Sequence, residues 1–452
     1  MFFDNILGEE EIKDYSQEYL SFRPMKKLTK FKYEVLGTVT TNGNVNGYLQ
    51  YSRDGGCTWK DLQPDTYTED IRFNDVVMWR KNENVTITPS PGDIVSKGDI
   101  VSKVYYWQEG GSHDPYKIVS TSSVYGINTY NDKSTSGGSI RFISDAIFEA
   151  YGNPASVLFG TNFSEYGDEQ YDENISEESK SLPDYAFARM FMDNTFLYKA
   201  DRLYLNYTYL SNYCCAYMFS GCSQLIFMPS LESTNLAKAC YAFMFAECAQ
   251  TDNKTYYLPP ELPADKLEER CYYAMFYNCY WIKKAPLIKG SIAAKECCMR
   301  MFVDSGWVSK SIIEVKFDTL AKGCCAYMFA WSSLVPHLYS KKLAEKCYYG
   351  LNVMCYWQYE QSSTKLIVLA ETTEDGVTLE DATKLWFAHS NTDRTRSMNS
   401  TALSFVKSPN ANLTTNPGNN YITWTRHNIG NANDMAGKIG PKWVVSDYQE
   451  TV

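Results

Sequence analysis

The residues in this sequence with the most reactive chemistry are its fourteen cysteines. A thiolate is a nucleophile and a zinc ligand, and in oxidising compartments cysteines pair as disulfides. Most of them stand at fixed distances from a repeated Met-Phe pair. One cysteine lies four residues before the Met at Cys214, Cys240, Cys271, Cys297 and Cys324, and Cys347 takes the corresponding place in a decayed copy. A second follows eight residues after the first at Cys222, Cys248, Cys279 and Cys355.

This spacing favours packing over metal binding. Zinc sites typically have two to four residues between their cysteines, commonly with histidine, whereas here seven residues intervene and only His337 falls within the repeats. A buried free cysteine behaves as a small apolar residue. We therefore expect structural thiols, with some disulfides or a metal site as the alternatives, and we predict no metal ligands.

Motifs of the common enzyme classes are absent from the sequence. It contains no G-x-S-x-G, H-E-x-x-H or P-loop, and its four histidines are scattered at His113, His337, His389 and His427. We predict no catalytic residues, no cofactor and no enzymatic activity.

The elements that position the cysteines belong to a repeat. The Met-Phe pairs begin at Met190, Met218, Met244, Met275, Met301 and Met328, and Met354 marks a decayed seventh copy. Periods in the twenties are typical of solenoids and lie in the range of leucine-rich repeats. Because no single unit can bury its apolar face, we expect the units to stack and share a core.

Spacing within one unit predicts a helix. An apolar residue, the first Cys, the Met and the second Cys recur at intervals of four, as in Leu236, Cys240, Met244 and Cys248. Such spacing places them on one helical stripe. A short extended segment ending in proline follows. The predicted fold class is therefore mixed α/β, a leucine-rich-repeat-like solenoid over residues 182–360.

The repeat resembles the Bacteroides surface-protein-like (BspA-like) leucine-rich repeats, in the Met-Phe/Cys variant of gut Bacteroidetes surface proteins and their phages. The resemblance rests on the segment L-E-E-R-C-Y-Y-A-M-F-Y-N-C at 267–279 and on L-P-P-E-L-P at 258–263. Two copies depart from the pattern, because Ser305 and Ser332 stand where the second Cys is expected.

The flanks define the remaining domains. Alternating segments broken by Asn-Gly and Gly-Gly predict a small β-rich domain at 29–164. Within it, S-R-D-G-G-C-T-W at 52–59 resembles a hairpin that precedes such repeats in the same group of proteins. Residues 165–181 form an acidic linker, and 361–452 a repeat remnant and cap. Residues 1–28 lie outside the resemblance and are expected to be a leader or attachment arm.

The net charge and the hydropathy of the sequence argue against nucleic acid as a partner and against a membrane span. The net charge is −10, which argues against nucleic acid because nucleic-acid binders carry basic patches. No apolar run is long enough for a membrane span, and the N-terminus has no signal-peptide pattern. The 36 tyrosines are typical of binding surfaces, although tyrosines inside the repeats also suit packing.

These observations, together with the resemblance, lead to a functional expectation. The protein is predicted to be a phage virion structural or adhesion protein, a fibre or decoration component assembled in the host cytoplasm. Its expected partners are other virion proteins through the N-terminal arm, a host-surface glycan or protein, and further copies of itself in a trimer. The alternative is an adhesin at the bacterial cell surface.

A repeat array binds through the surface formed by its strands. Aromatic and polar residues of the short extended segments and adjoining turns are therefore the candidate ligand-binding residues, with inter-repeat packing as the alternative for each. They are Tyr256, Trp281, Lys283, Trp307, Trp331, His337 and Tyr339.

Overall fold

The computed structural model describes residues 15–92, 104–106, 117–120, 137–165, 182–248, 259–280, 282, 285–305, 312–330, 332, 335–349, 351, 367–377, 382, 402–407, 422–423 and 445–447. The acidic linker, apart from residue 165, lies outside these ranges.

The N-terminal part of the chain is built from short strands. They are β1 (Leu20–Pro24), β2 (Phe31–Val35), β3 (Thr38–Thr41), β4 (Leu49–Ser52), β5 (Lys60–Leu62), β6 (Val77–Lys81), β7 (Val85–Thr88), β8 (Val104–Tyr106), β9 (Lys117–Ser120), β10 (Ile140–Ser144), β11 (Phe148–Gly152) and β12 (Leu197–Leu203). The short helix α1 (Ser156–Phe159) and a 3-10 helix (Gly160–Glu165) follow β11.

Six of these strands form one sheet in the order β12-β11-β1-β6-β4-β5, and three two-stranded sheets pair β10 with β2, β3 with β7 and β8 with β9. Leu20 and Phe22 alternate along β1 and face the core, where neither has any exposed surface. The Phe22 ring lies 4.9 to 5.6 Å, between centroids, from the rings of Phe31, Phe142, Phe148 and Trp79. Residues 20–24 of the predicted leader, 1–28, are therefore a central strand of this sheet rather than part of an arm.

The S-R-D-G-G-C-T-W segment joins β4 to β5, which pair antiparallel, and this confirms the predicted hairpin. The Asp54 carboxylate accepts hydrogen bonds from the Thr58 hydroxyl at 2.6 Å, the Thr58 amide at 2.8 Å and the Ser52 hydroxyl at 2.7 Å. These hydrogen bonds, that of the Thr58 hydroxyl first, lower the pKa of Asp54 to about 2. The motif therefore closes a turn.

A parallel sheet forms the second half of the chain. Its strands are β13 (Lys266–Leu267), β14 (Ile288–Ala293), β15 (Ile312–Leu320), β16 (Val335–Leu343), β17 (Ile367–Thr373), β18 (Ala402–Lys407), β19 (Ile422–Thr423) and β20 (Val445–Asp447). From β13 to β18 each strand pairs parallel with the next, so the sheet continues across the predicted boundary at residue 360. Strand β12 pairs parallel with β11 and links the N-terminal sheet to the repeats.

The Cys-Met-Phe segments between the strands are runs of tight turns. In the copy at 213–222, Met218 donates its amide to the Cys215 carbonyl three residues earlier, at 3.2 Å. The intervening amides instead bond to the next copy, as in Cys215 to the Cys240 carbonyl at 2.9 Å. Every fourth residue, such as Tyr213 and Tyr217, has a positive φ near 57°. Amide bonding thus alternates between the copy itself and its neighbour.

The predicted mixed α/β fold with a leucine-rich-repeat-like solenoid is wrong. The described part of the chain is mainly β-sheet, with 31% of its residues in strands and 4% in helices. Where a helix was expected from the four-residue spacing, the backbone makes successive turns instead. A left-handed residue at every fourth position is incompatible with an α-helix, and it gives a true period of four residues in place of 3.6.

That four-residue period sorts the side chains into two layers. Cys214, Cys215, Met218 and Phe219 belong to the main core, which runs continuously from the N-terminal sheet into the repeats. Ala216 and Tyr217 and their counterparts form a separate apolar layer on the opposite side of the turns. In the sequence C-C-A-Y-M-F at 214–219, the pairs C-C and M-F therefore face the main core, and the pair A-Y between them faces the second layer.

Stacked aromatic rings hold successive copies in register. The phenylalanines of the Met-Phe pairs lie with neighbouring centroids 5.4 to 5.7 Å apart and ring planes within 9° of parallel. Neighbouring aromatic rings in offset or stacked arrangements stabilise each other beyond their burial. The stack comprises Phe191, Phe219, Phe245, Phe276, Phe302 and Phe329.

Candidate functional site

The exposed side of the parallel sheet is the surface on which ligand-binding residues were predicted. Alternation along β15 buries Val315 and Phe317 and exposes Glu314, Lys316 and Asp318. The register places Lys316 beside Lys289 of β14 and Tyr339 of β16. Because parallel strands align equivalent residues, these three side chains form one row across the sheet, which we call the strand-face row.

The strand-face row is charged and partly aromatic. The Lys316 ammonium lies 5.0 Å from the centroid of the half-buried Tyr339 ring, within cation–π distance. The same ammonium lies 2.9 Å from the Glu314 carboxylate, and this hydrogen bond raises the pKa of Lys316. Lys341 and Asp318 form a second ion pair at 2.8 Å. The surface therefore presents alternating charges around one aromatic ring.

Among the predicted binding residues, the structure places only Tyr339 in full. Its neighbour His337 lies in β16, paired with Glu314 of β15 and Ile367 of β17, with only its backbone position described. The other predicted residues lie outside the described ranges: Tyr256, Trp281, Lys283, Trp307 and Trp331. The structure therefore brings Tyr339 together with Lys316 and Lys289, which the sequence analysis did not select.

A cavity of about 550 Å³ lies on the outer side of the N-terminal sheet. Its floor is a row of residues paired across four strands: Met78 of β6, Ser21 of β1, Tyr151 of β11 and Arg202 of β12. The segment before β1 contributes further lining residues, Tyr15, Gln17, Glu18 and Tyr19. We call this the N-terminal cavity.

Beside that floor lies a buried carboxylate surrounded by cations. Glu149 of β11 is 1% exposed and pairs across the sheet with Arg23 of β1 and Lys199 of β12. It accepts hydrogen bonds from Arg23 Nε at 3.0 Å and Arg202 Nε at 2.9 Å, and Lys199 Nζ lies at 3.8 Å. Burial alone would raise the pKa of Glu149, but the hydrogen bonds from Arg202 and Arg23 outweigh it and lower the pKa.

Glu149 fixes the guanidinium that borders the cavity. The Arg202 guanidinium carbon lies 4.8 Å from the Tyr151 ring centroid and 5.8 Å from that of Tyr15. Tyr15 and Tyr151 meet edge to face, with centroids 6.4 Å apart. The cavity thus combines aromatic rings with a charge held in one orientation.

The N-terminal cavity was not among the predicted sites, because residues 1–28 were expected to be a leader and the strands were expected only to pack. Polar residues inside otherwise apolar strands were the available signal. Ser21 and Arg23 alternate with Leu20 and Phe22, and Glu149 and Tyr151 occupy the corresponding positions in β11.

The cysteines are free thiols wherever the structure describes them. Of thirteen, twelve are buried and Cys57 is exposed. Burial raises the pKa of Cys222, Cys248 and Cys279, which keeps these thiols protonated and unreactive. Within the described ranges, no three His, Cys, Asp or Glu side chains are grouped so as to hold a metal ion. The burial of these thiols supports the packing explanation of the cysteine spacing.

Comparison with protein-family models, characterised proteins and solved structures returned no match for this chain. In the part of the chain that the structure describes, no helix has the length and apolar character required to cross a bilayer.

Proposed function

We propose that the protein is a non-enzymatic virion component of a phage, part of a fibre or a shell decoration, whose repeats bind a host-surface glycan or protein or another virion protein. The alternative is a bacterial cell-surface adhesin with the same repeats. Residues before Tyr15 are proposed to attach the chain to the larger assembly. Both proposals describe a binding module rather than a catalyst.

The strand-face row is the observation that supports a binding role most strongly. Lys289, Lys316 and Tyr339 are presented side by side on consecutive parallel strands, with apolar neighbours such as Val315 buried beneath them. Tyrosine provides a large contact area with a polar end, and it is enriched at binding hot spots. A row of this kind offers one aromatic anchor surrounded by adaptable charges.

Rigidity makes the row suitable for adhesion. The strands carrying it are connected to turns whose amides bond alternately within a copy and to the next copy, as with Phe276 to the Met301 carbonyl at 2.9 Å. The stacked phenylalanines fix the same copies from inside. A surface held in its bound conformation loses little conformational entropy on association, and this favours affinity.

Mass spectrometry of purified virions, set against surface-shaved cells of the bacterial host, tests the proposal. Peptides of this chain in purified particles, at a constant ratio to the major capsid protein, would support the virion proposal. Peptides released by brief proteolysis of intact cells that carry no phage would support the adhesin instead. Recovery only inside cells, and from neither particles nor surfaces, would contradict both.

A further inference from the structure

We propose that the N-terminal cavity binds an uncharged pyranose ring of a glycan. This site is distinct from the strand-face row, because its lining comes from β1, β6, β11, β12 and the segment before β1. It goes beyond the proposed function, since the cavity can bind a sugar whether the protein belongs to a virion or to a cell surface.

The size and the aromatic lining fit a sugar ring. A volume of about 550 Å³ falls within the range of small-molecule sites. The C–H faces of a pyranose are apolar and pack on the faces of aromatic rings, three of which line the cavity: Tyr15, Tyr19 and Tyr151. The Tyr19 ring packs against Trp59 and Phe163, whose ring centroids lie 5.1 and 4.9 Å away.

The polar lining fits hydroxyl groups. A sugar hydroxyl both donates and accepts hydrogen bonds, so its site needs groups of both kinds. Arg202 supplies donors only, Glu18 supplies acceptors, and the Gln17 amide supplies both. The Arg202 guanidinium is already oriented by Glu149, which reduces the entropy lost on binding.

The charges around the cavity favour a neutral ligand. The charged residues of the lining are Glu18 and Arg202, one of each sign, and Arg202 is ion-paired with Glu149 beside the cavity. No surplus charge faces the cavity from these residues. A carboxylated sugar would therefore gain no net attraction and would still lose hydration on entry.

Saturation-transfer NMR on the full chain tests this inference. The neutral probes are methyl β-galactoside, methyl α-mannoside and methyl β-N-acetylglucosaminide, and glucuronate is the charged probe. We expect transfer to ring protons of at least one neutral probe, with weaker transfer to glucuronate. Tyr15→Ala should weaken binding about fivefold because it removes one ring face, and Tyr15→Phe should retain it. Tyr67→Ala, at an exposed tyrosine outside the cavity, is the matched control.

Several results would overturn the inference. They are the absence of transfer to all three neutral probes, equal binding by wild type and Tyr15→Ala, and tighter binding of glucuronate than of any neutral probe. Tyr15 is partly exposed at the edge of the domain, so unchanged melting of Tyr15→Ala separates lost binding from lost folding. A Lys316→Glu variant should bind the probes normally, and this distinguishes failure of this site from failure of the strand-face row.

Discussion

At the scale of single residues, the second cysteine of each repeat is a hydrogen-bond donor. Cys248 Sγ donates to the Phe219 carbonyl at 3.1 Å, and Cys279 Sγ donates to the Phe245 carbonyl at 3.0 Å. Of the two copies that depart from the sequence pattern, the one with Ser305 keeps this bond, and the one with Ser332 keeps a donor that bonds to a different carbonyl. Ser305 at the equivalent position donates to the Phe276 carbonyl at 2.6 Å, and Ser332 donates to the Ser305 carbonyl at 2.9 Å. The repeat therefore requires a small donor here rather than sulfur chemistry.

This requirement predicts different outcomes for one substitution at two cysteines. Cys248→Ser should cost less than about 1 kcal/mol of unfolding free energy, because the hydroxyl can bond to the same carbonyl. Cys240→Ser should cost about 1–3 kcal/mol, because it buries a hydroxyl in the apolar core. Urea unfolding of the two variants beside wild type measures the difference. Equal losses would show that the carbonyl contact has no energetic role.

Buried thiols also predict how stability depends on pH. Burial raises the pKa of thiols such as Cys271 and Cys347 in the folded protein, whereas unfolded cysteines have a pKa of about 8.5. Above that pH the unfolded chain loses thiol protons that the folded chain retains, so unfolding becomes more favourable as pH rises. The stabilisation is fully present below about pH 8.5 and is lost progressively above it.

The measurement is urea unfolding at a series of pH values from about 7 to 10, with wild type compared to Cys248→Ala and Cys57→Ser. We expect the unfolding free energy to decline above about pH 8.5. The slope of this decline against pH should be smaller in Cys248→Ala, by the amount that corresponds to release of up to one proton on unfolding. The exposed Cys57 should make no difference when replaced. Identical slopes for wild type and Cys248→Ala would contradict the buried-thiol account.

At the scale of elements, the turns of the repeat depend on a left-handed residue at every fourth position. Ala274 has a φ of 51°, and the equivalent residues in other copies are Tyr217, Phe243, Arg300 and Tyr327. A side chain in this conformation costs about 1–2 kcal/mol relative to glycine. The cost is tolerated because the outward layer and the bonds between copies hold the backbone in place.

Two alanines of the outward layer provide a matched test. Both Ala274 and Ala242 are fully buried, and only Ala274 has a positive φ. Ala242→Gly should lower the melting temperature, through a loss of about 0.5–1 kcal/mol, because glycine gains entropy on unfolding. Ala274→Gly should be neutral or slightly stabilising, because relief of the left-handed strain offsets the entropy that glycine gains on unfolding. Calorimetry on both variants measures the difference. An equal loss of melting temperature in the two variants would argue against the left-handed turn.

The sequence predicted part of this architecture correctly, for identifiable reasons. The recurring Met-Phe pair located the copies, because each copy contributes one phenylalanine, such as Phe245 or Phe276, to the stack. It did not distinguish a period of four from one of 3.6, since both align Cys240, Met244 and Cys248 over so short a segment. The turns differ from a helix in the positive φ values of Ala239, Phe243 and Glu247. The types of these residues do not reveal those φ values.

At the scale of the whole molecule, one core connects the N-terminal sheets to the repeats. Strand β12 pairs with β11 and bridges to Phe227 of the next copy, so no gap separates the two parts. The N-terminal cavity and the strand-face row consequently belong to one continuous scaffold. The polar residues in the strands signalled an exposed face, but the sequence did not show that the cavity forms there. It forms because four strands distant in the chain bring Met78, Ser21, Tyr151 and Arg202 into one row.

The central claim is that the protein binds its partner through the strand-face row, and a cell-binding measurement tests it most directly. Fluorescently labelled protein is titrated onto cells of bacterial isolates that bind the wild-type chain, and bound fluorescence gives the dissociation constant. The Lys316→Glu, Tyr339→Ala variant should bind about tenfold more weakly or not at all, because it removes the aromatic anchor and reverses the adjoining charge. The matched control, Lys27→Glu with Tyr67→Ala, alters an exposed lysine and an exposed tyrosine elsewhere and should bind as wild type does. Equal dissociation constants for both double variants and wild type, with unchanged melting temperatures, would contradict the claim.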